Sequence, residues 1–229
     1  SALAVHKDRI ALVSYGLNRV AADGSTGGLD LGVPQDFVTI SAGERKLDVS
    51  PRSAAFSPDG KWVYLTGYQY SLGHPNPNDW LPGVTRLEYA KGGKPEVFVG
   101  SLKHRDTGTD ETHFNVPASV ACDAQGNVYV ADYWNDRIQV FTPEGKLRKS
   151  IPAVKPAHID IHPRTSEIYV GSWMLVNRSV PSNATKIPAN FTRLKSLDDP
   201  KILVSCTLPL NEYNPTQEWN RPGGLQYRL

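Results

Sequence analysis

The sequence predicts an all-β protein built by repeating one four-stranded antiparallel sheet. Three observations carry that prediction. A proline-opened strand, a tight turn and a second apolar strand recur along the 229 residues, and self-similarity on this scale marks repeat architectures. The 19 glycines and 18 prolines fall between short β-type runs, as in turn-rich all-β folds. The opening prolines Pro51, Pro117, Pro156 and Pro222 are 66, 39 and 66 residues apart, and the short interval is close to the roughly 40–45 residues of a minimal four-stranded unit.

Taken in order, Ala2-Leu3-Ala4-Val5 and Arg9–Val13 fit the template without its proline and open a first unit over about 1–49. Pro51–Phe56, a turn at Ser57–Gly60 and Lys61–Leu65 open a second, about 50–115. Pro117–Asp123 and the hairpin Gly126–Ala131 open a third, about 116–154. Pro156–Pro163 and Glu167–Val170 open a fourth, about 155–220, and Pro222-Gly223-Gly224-Leu225-Gln226-Tyr227 starts a further one within 221–229. Val120, Ile159 and Phe56 are expected at corresponding positions of the first strands. Each long interval exceeds the short one by 27 residues, and that excess must be inserted loop.

The third unit continues as Asp-Tyr-Trp-Asn-Asp-Arg-Ile-Gln-Val-Phe, Asp132–Phe141. The spacing of Asp132, Asn135 and Arg137 resembles that of an NHL repeat, one blade of a β-propeller. The resemblance implies about four blades in this single domain, and the orphan first strand at 221–229 implies a larger, roughly six-bladed ring, with another chain as one possible source of the remaining blades. Propellers close by joining the last blade to the first, which removes the sheet edge. Asp132, Asn135 and Arg137 are expected to serve structure, through charge-assisted hydrogen bonds between strands. The fold names a ligand face and no reaction.

Strand parity then places the insertions. If each first strand descends from an upper face, the connection after every second strand returns to that face. The long segments 68–83, 100–115, 173–190 and 209–221 all converge there, whereas the lower turns are short. The upper segments carry Tyr68, Tyr70, His74, Trp80, His104, His113, Trp173, Tyr213 and Trp219, joined by Tyr133 and Trp134. Long loops inside a compact domain serve function more often than connection alone. Tyr68, Trp80, Tyr133, Trp134, His158 and Trp173 are therefore the candidate ligand- or partner-binding residues.

His158 stands two residues past Pro156, at the mouth of an inner strand, where Ser53, Ser119 and Gly224 occupy the matching positions. A histidine lining the channel is a candidate metal ligand or general base. Among propellers of the resembled kind, a peptidyl-hydroxyglycine amidating lyase holds zinc on channel histidines, and lactonases hold calcium on carboxylates and asparagines. Only His158 is placed like such a ligand, so zinc or calcium is an expectation resting on one residue.

Bulk properties exclude other classes. Net charge is +2 with both signs interspersed, which leaves no electrostatic footprint for nucleic acid. No run approaches the roughly 18 apolar residues of a spanning helix. Cys122 and Cys206, on strands of different units, are expected as free thiols. Asn177, Asn183 and Asn190 head N-glycosylation sequons within one expected exposed loop, pointing to an extracellular or periplasmic location. The leading expectation is a binding or scaffold module for a protein partner or a glycan. The alternative is a metal-dependent lyase or hydrolase working in the central channel.

Overall fold

A computed structural model describes residues 2–13, 17–21, 39–42, 45–69, 80–173, 175 and 188–208. These form antiparallel sheets with no α-helix among the described residues. The first sheet comprises β1 (Ala2–His6), β2 (Arg9–Val13) and β3 (Leu17–Ala21). A separate hairpin follows, β4 (Thr39–Ala42) with β5 (Arg45–Asp48). The second blade is β6 (Ser53–Phe56), β7 (Trp62–Thr66), β8 (Gly83–Glu88) and β9 (Glu96–Gly100). The third is β10 (Pro117–Cys122), β11 (Val128–Asp132), β12 (Arg137–Phe141) and β13 (Leu147–Pro152). The fourth is β14 (Pro156–Ile161), β15 (Ile168–Ser172), β16 (Asn190–Leu194) and β17 (Ile202–Thr207).

Strands pair in sequence order within each of the later blades, as a meander must. The first strands of successive sheets lie beside one another, β1 with β6, β6 with β10 and β10 with β14. Four sheets thus radiate from a shared axis, which defines a β-propeller. Among the described residues β14 and β1 make no comparable contact, so the inner strands trace an arc and not a closed ring.

Alternation along each strand decides which neighbour a side chain meets. Ala121, Tyr129, Ile138, Val140 and Ile151 of the third blade pack against Ile159, Ile161, Ile168, Val170 and Leu194 of the fourth. The opposite face, with Val120, Val128, Val130 and Phe141, packs on Tyr64 and Val84 of the second. Burial of this kind stabilises by about 25 cal/mol per Å². The core is therefore a set of layers between blades.

Two expectations change here. Among the described residues the first sheet has three strands, and β4 and β5 pair with each other. Val120 and Ile159 do correspond, facing Val130 and Val170, but their partner in β6 is Ala54, opposite Leu65. Phe56 lies further along, level with Cys122 and Ile161. The proline offset fixes the register, and the size of the side chain does not. Residues 221–229, expected to start a further blade, lie outside the described residues, as do Tyr70, His74, Tyr213 and Trp219.

Candidate functional site

The third blade's motif is a clamp. Asp132 is fully buried at the end of β11, where its carboxylate accepts from the Arg137 Nε–H at 2.8 Å, the Asn135 Nδ2–H at 2.8 Å and the Asn115 backbone N–H at 2.7 Å. Burial pushes the Asp132 carboxyl above the usual carboxylate range, while these donors pull the other way. Arg137 also donates to the carbonyls of Thr109, Asp110 and His113, and Asn135 to that of Gly108. The inserted segment 108–115 is thus tied to its blade through its own backbone. All three polar residues are engaged with protein atoms.

A turn of 3-10 helix, Tyr133–Asn135, carries the chain from β11 to β12 and ends at Asp136 in the left-handed region, φ 51°. That turn sends two neighbouring aromatics in different directions. Tyr133 is buried among Trp80, Val116, Ala118 and Ala157, and its hydroxyl accepts the Leu175 N–H at 3.1 Å. Burial raises its phenol above the usual value. Trp134 is 37% exposed and stands edge-on to Tyr133, with ring centroids 5.4 Å apart. Lys155 Nζ lies 4.9 Å from the Trp134 ring centre and bonds the Asp136 carboxylate at 2.8 Å. An indole under an ammonium is a polarised flat surface.

A cavity of about 930 Å³ runs between the inner strands. Trp80, Trp173 and Leu175 border one end, and Pro58, Ala124 and Pro163 lie toward the turns at the other. His158 and Asp160 are exposed on the same face of β14 and line the cavity. The His158 ring stacks on Trp173 at 6.4 Å with 20° between the planes. Trp173 in turn lies over Gly171, where any Cβ would collide with the indole. Cys122 also lines the cavity, but burial pushes its thiol up to about 12, which leaves no thiolate to react.

The six candidate residues therefore separate. Trp80, Tyr133, His158 and Trp173 gather at one end of the cavity, with Trp134 beside them. Tyr68 is fully buried and its hydroxyl lies 2.6 Å from Thr85 Oγ1, so it offers no surface to a ligand. Trp80 and Tyr133 are likewise packed inside. Lys155 and Asp160, which the sequence did not single out, join the site. The offset of Asp160 from His158 on one strand was the signal available for it.

The metal expectation meets little support. Among the described residues no group of three His, Cys, Asp or Glu is placed to hold an ion. Ser53 and Ser119 use their hydroxyls on backbone amides of the next inner strand, Val120 at 3.0 Å and Ile159 at 3.2 Å. The described residues do not fit a zinc or calcium centre. The sequon cluster also changes: Asn177 and Asn183 lie outside the described residues, while Asn190 is not in a loop. It opens β16, half-buried between two strands, and accepts from the Ser205 hydroxyl at 3.2 Å.

The fold and its site thus define a β-propeller with one aromatic rim. Residues 114–141, which span β10 to β12 of the third blade, match the NHL repeat. Among solved structures the chain is similar to hydrazine synthase from Kuenenia stuttgartiensis, at 13% identity and a TM-score of 0.55, over 90% of this chain and 48% of that one. It is also similar to a gluconolactonase from Xanthomonas campestris, at 14% identity and TM-score 0.45, over 73% and 52% of the two chains. Regucalcin, a calcium-binding protein from Agrobacterium tumefaciens, is similar at 17% identity and TM-score 0.42, over 87% and 78%. The chain spans about half the length of the first two. At these identities the likeness concerns fold alone. No curated protein sequence matches the chain.

Proposed function

We propose that this propeller is an extracytoplasmic recognition module, with Trp134 and Lys155 at the centre of its binding surface. One observation carries the reading: Trp134 is the single large aromatic among the described residues that stands exposed, at 37%. Tyr133 supports it from one side, and the Asp136–Lys155 pair fixes the ammonium over it. A flat indole with an adjacent cation suits a polymeric ligand, a glycan chain or an extended protein segment. The mouth of the cavity, bordered by His158 and Trp173, is within reach of the same ligand.

Calorimetric titration with a panel of neutral and uronate-containing oligosaccharides and extended peptides tests this. Trp134→Ala should weaken whatever binding is found by about 1–3 kcal/mol, the scale of an interface anchor. A ligand footprint confined to the turns around Asp59, Gly126 and Gly145 would place the binding surface on the opposite face and end the proposal.

A metal-assisted lyase or hydrolase is the second reading. It is favoured by His158 and Asp160, exposed side by side in the cavity. It requires ligands from beyond the described residues. Elemental analysis of the purified protein for zinc and calcium separates the two readings, since a stoichiometric ion is expected only from the second.

A further inference from the structure

Three inner-strand positions depart from the pattern of their neighbours, and all three line one cavity. The residue after the opening proline is Ala118 in the third blade and Ala157 in the fourth, both buried, but in the second it is Arg52, which is exposed. The next position holds Ser53, Ser119 and His158, and the two serines are used to tie neighbouring strands together. The position facing a tyrosine of the second strand holds Ala55, Ala121 and Asp160. Arg52, His158 and Asp160 border the cavity of about 930 Å³. Breaks of this kind in a repeated pattern mark places that serve something besides folding.

Arg52 has room, and its charge is unmet. Gly67, at φ 73°, lies against its stem, where a Cβ would stand 3.2 Å from the Arg52 Cβ. No carboxylate among the described residues pairs with the guanidinium. Asp123 borders the cavity too, but it is buried and accepts from Gln125, Asn127 and Tyr129. Asp160 stands on another blade and, by register, three residues lower, about 10 Å along the strand. At the far end of the arc, β1 supplies an apolar wall: Leu3 and Val5 are each 61% exposed and line the same cavity. The His6 and Phe56 rings, at the lower ends of β1 and β6, are 5.8 Å apart, so the two strands run level. Leu3 and Val5 therefore descend from just below Arg52.

We propose that the cavity is a site for a small organic carboxylate with an apolar body. Arg52 takes the carboxylate at the mouth, level with the His158 side of the cavity, and Leu3 and Val5 cover the body. Asp160 accepts from a hydroxyl or ammonium carried further down that body. A guanidinium meets a carboxylate through two parallel charge-assisted hydrogen bonds. Cavity sites combine mostly apolar walls with a few polar groups of this kind, which fix the ligand's orientation. The site uses neither Trp134 nor a metal ion, so it stands or falls apart from both readings of function given above.

Calorimetric titration of the full chain, with metal ions chelated, tests this. The probes are the straight-chain carboxylates from butanoate to decanoate, phenylacetate and 4-hydroxyphenylacetate, each beside its own neutral amide. At least one carboxylate should bind about tenfold or more tightly than its amide. Arg52→Gln should remove that preference and leave Tm unchanged, since the side chain is exposed, while Arg52→Lys should keep part of it. 4-Hydroxyphenylacetate should bind more tightly than phenylacetate, and Asp160→Ala should erase that difference. Carboxylates that bind no better than their amides overturn the proposal. So does sulfate binding as tightly as the best carboxylate, because a bare anion site has no use for the apolar wall. Binding that appears only on adding zinc or calcium overturns it as well and gives the cavity to the metal reading. If Arg52→Gln lowers Tm, the Arg52 Nε–H resonance of the unmodified chain decides: it should shift on adding carboxylate, and a resonance that stays in place overturns the proposal.

Discussion

The third and fourth blades follow the same strand pattern, with His158 standing for Ser119, Asp160 for Ala121 and Arg193 for Val140. On the third blade those positions are small or apolar because another blade lies against them. On the fourth they are polar, charged or aromatic. The upper ends differ as well. Asp132 closes the third blade with a buried clamp, whereas the fourth has Ser172 at that position, without a partnering arginine among the described residues. The comparison separates two demands on one template: interior blades are specified by packing, while the last described blade is specified by what remains to be met.

Breaking the clamp tests that contrast most severely. Asp132→Ala strands Arg137 and frees segment 108–115, and should cost about 3–5 kcal/mol in a denaturant titration, the scale of a half-removed buried ion pair. A loss below about 1 kcal/mol would show that the third blade is held by its apolar layers alone. Ser119→Ala leaves the buried Ile159 N–H without its acceptor and should cost about 1–3 kcal/mol by the same measurement. Gln139 sharpens the comparison in the other direction. It is fully buried in the third blade, and neither side-chain amide atom has a hydrogen-bond partner among the described residues. Gln139→Leu should therefore stabilise by about 1 kcal/mol and raise Tm.

The smallest effect concerns pH. A hydrogen bond from His113 Nδ1 to the Asp110 carboxylate, 2.8 Å, and the charge of that carboxylate raise the histidine above its ordinary value of 6.5; the same bond lowers Asp110. A raised histidine contributes fully below about pH 6.5 and loses its contribution as pH rises through its folded value. A lowered aspartate contributes above about pH 3.9 and fades as pH falls through its folded value. The pair is thus complete between about pH 4 and 6.5. Titration by nuclear magnetic resonance should place the His113 midpoint above 6.5, and Asp110→Asn should return it there.

Much of this architecture was legible in the chain because backbone chemistry announces it. Pro51, Pro117 and Pro156 mark the inner strands, and Asp132, Asn135 and Arg137 mark a turn that needs those donors and acceptors. The site was less legible. Tyr68, Trp80 and Tyr133 lie in connections, where no alternation says which way a side chain points, and the fold turns all three inward. Asn190 was read as loop because sequons favour exposed positions, yet Phe191 and Thr192 beside it continue a strand. Lys155 carries no motif at all. It reaches Trp134 only because Asp136 adopts a left-handed conformation and accepts the Lys155 backbone N–H at 2.9 Å.

The lower turns are each closed by short-range hydrogen bonds. Asp59 accepts from Ser57 and Lys61, Asp123 from Gln125 and Asn127, and His162 from Arg164 and Thr165. Lengthening any of them would shift the pairing of two strands and turn every following side chain to the wrong neighbour. The upper connections carry no such duty, and they already range from three residues between β13 and β14 to seventeen between β15 and β16. One end of this molecule is a ruler and the other a workbench. Peptide inserts, epitope grafts or new binding loops belong on the side of Trp134, where added length leaves the register untouched.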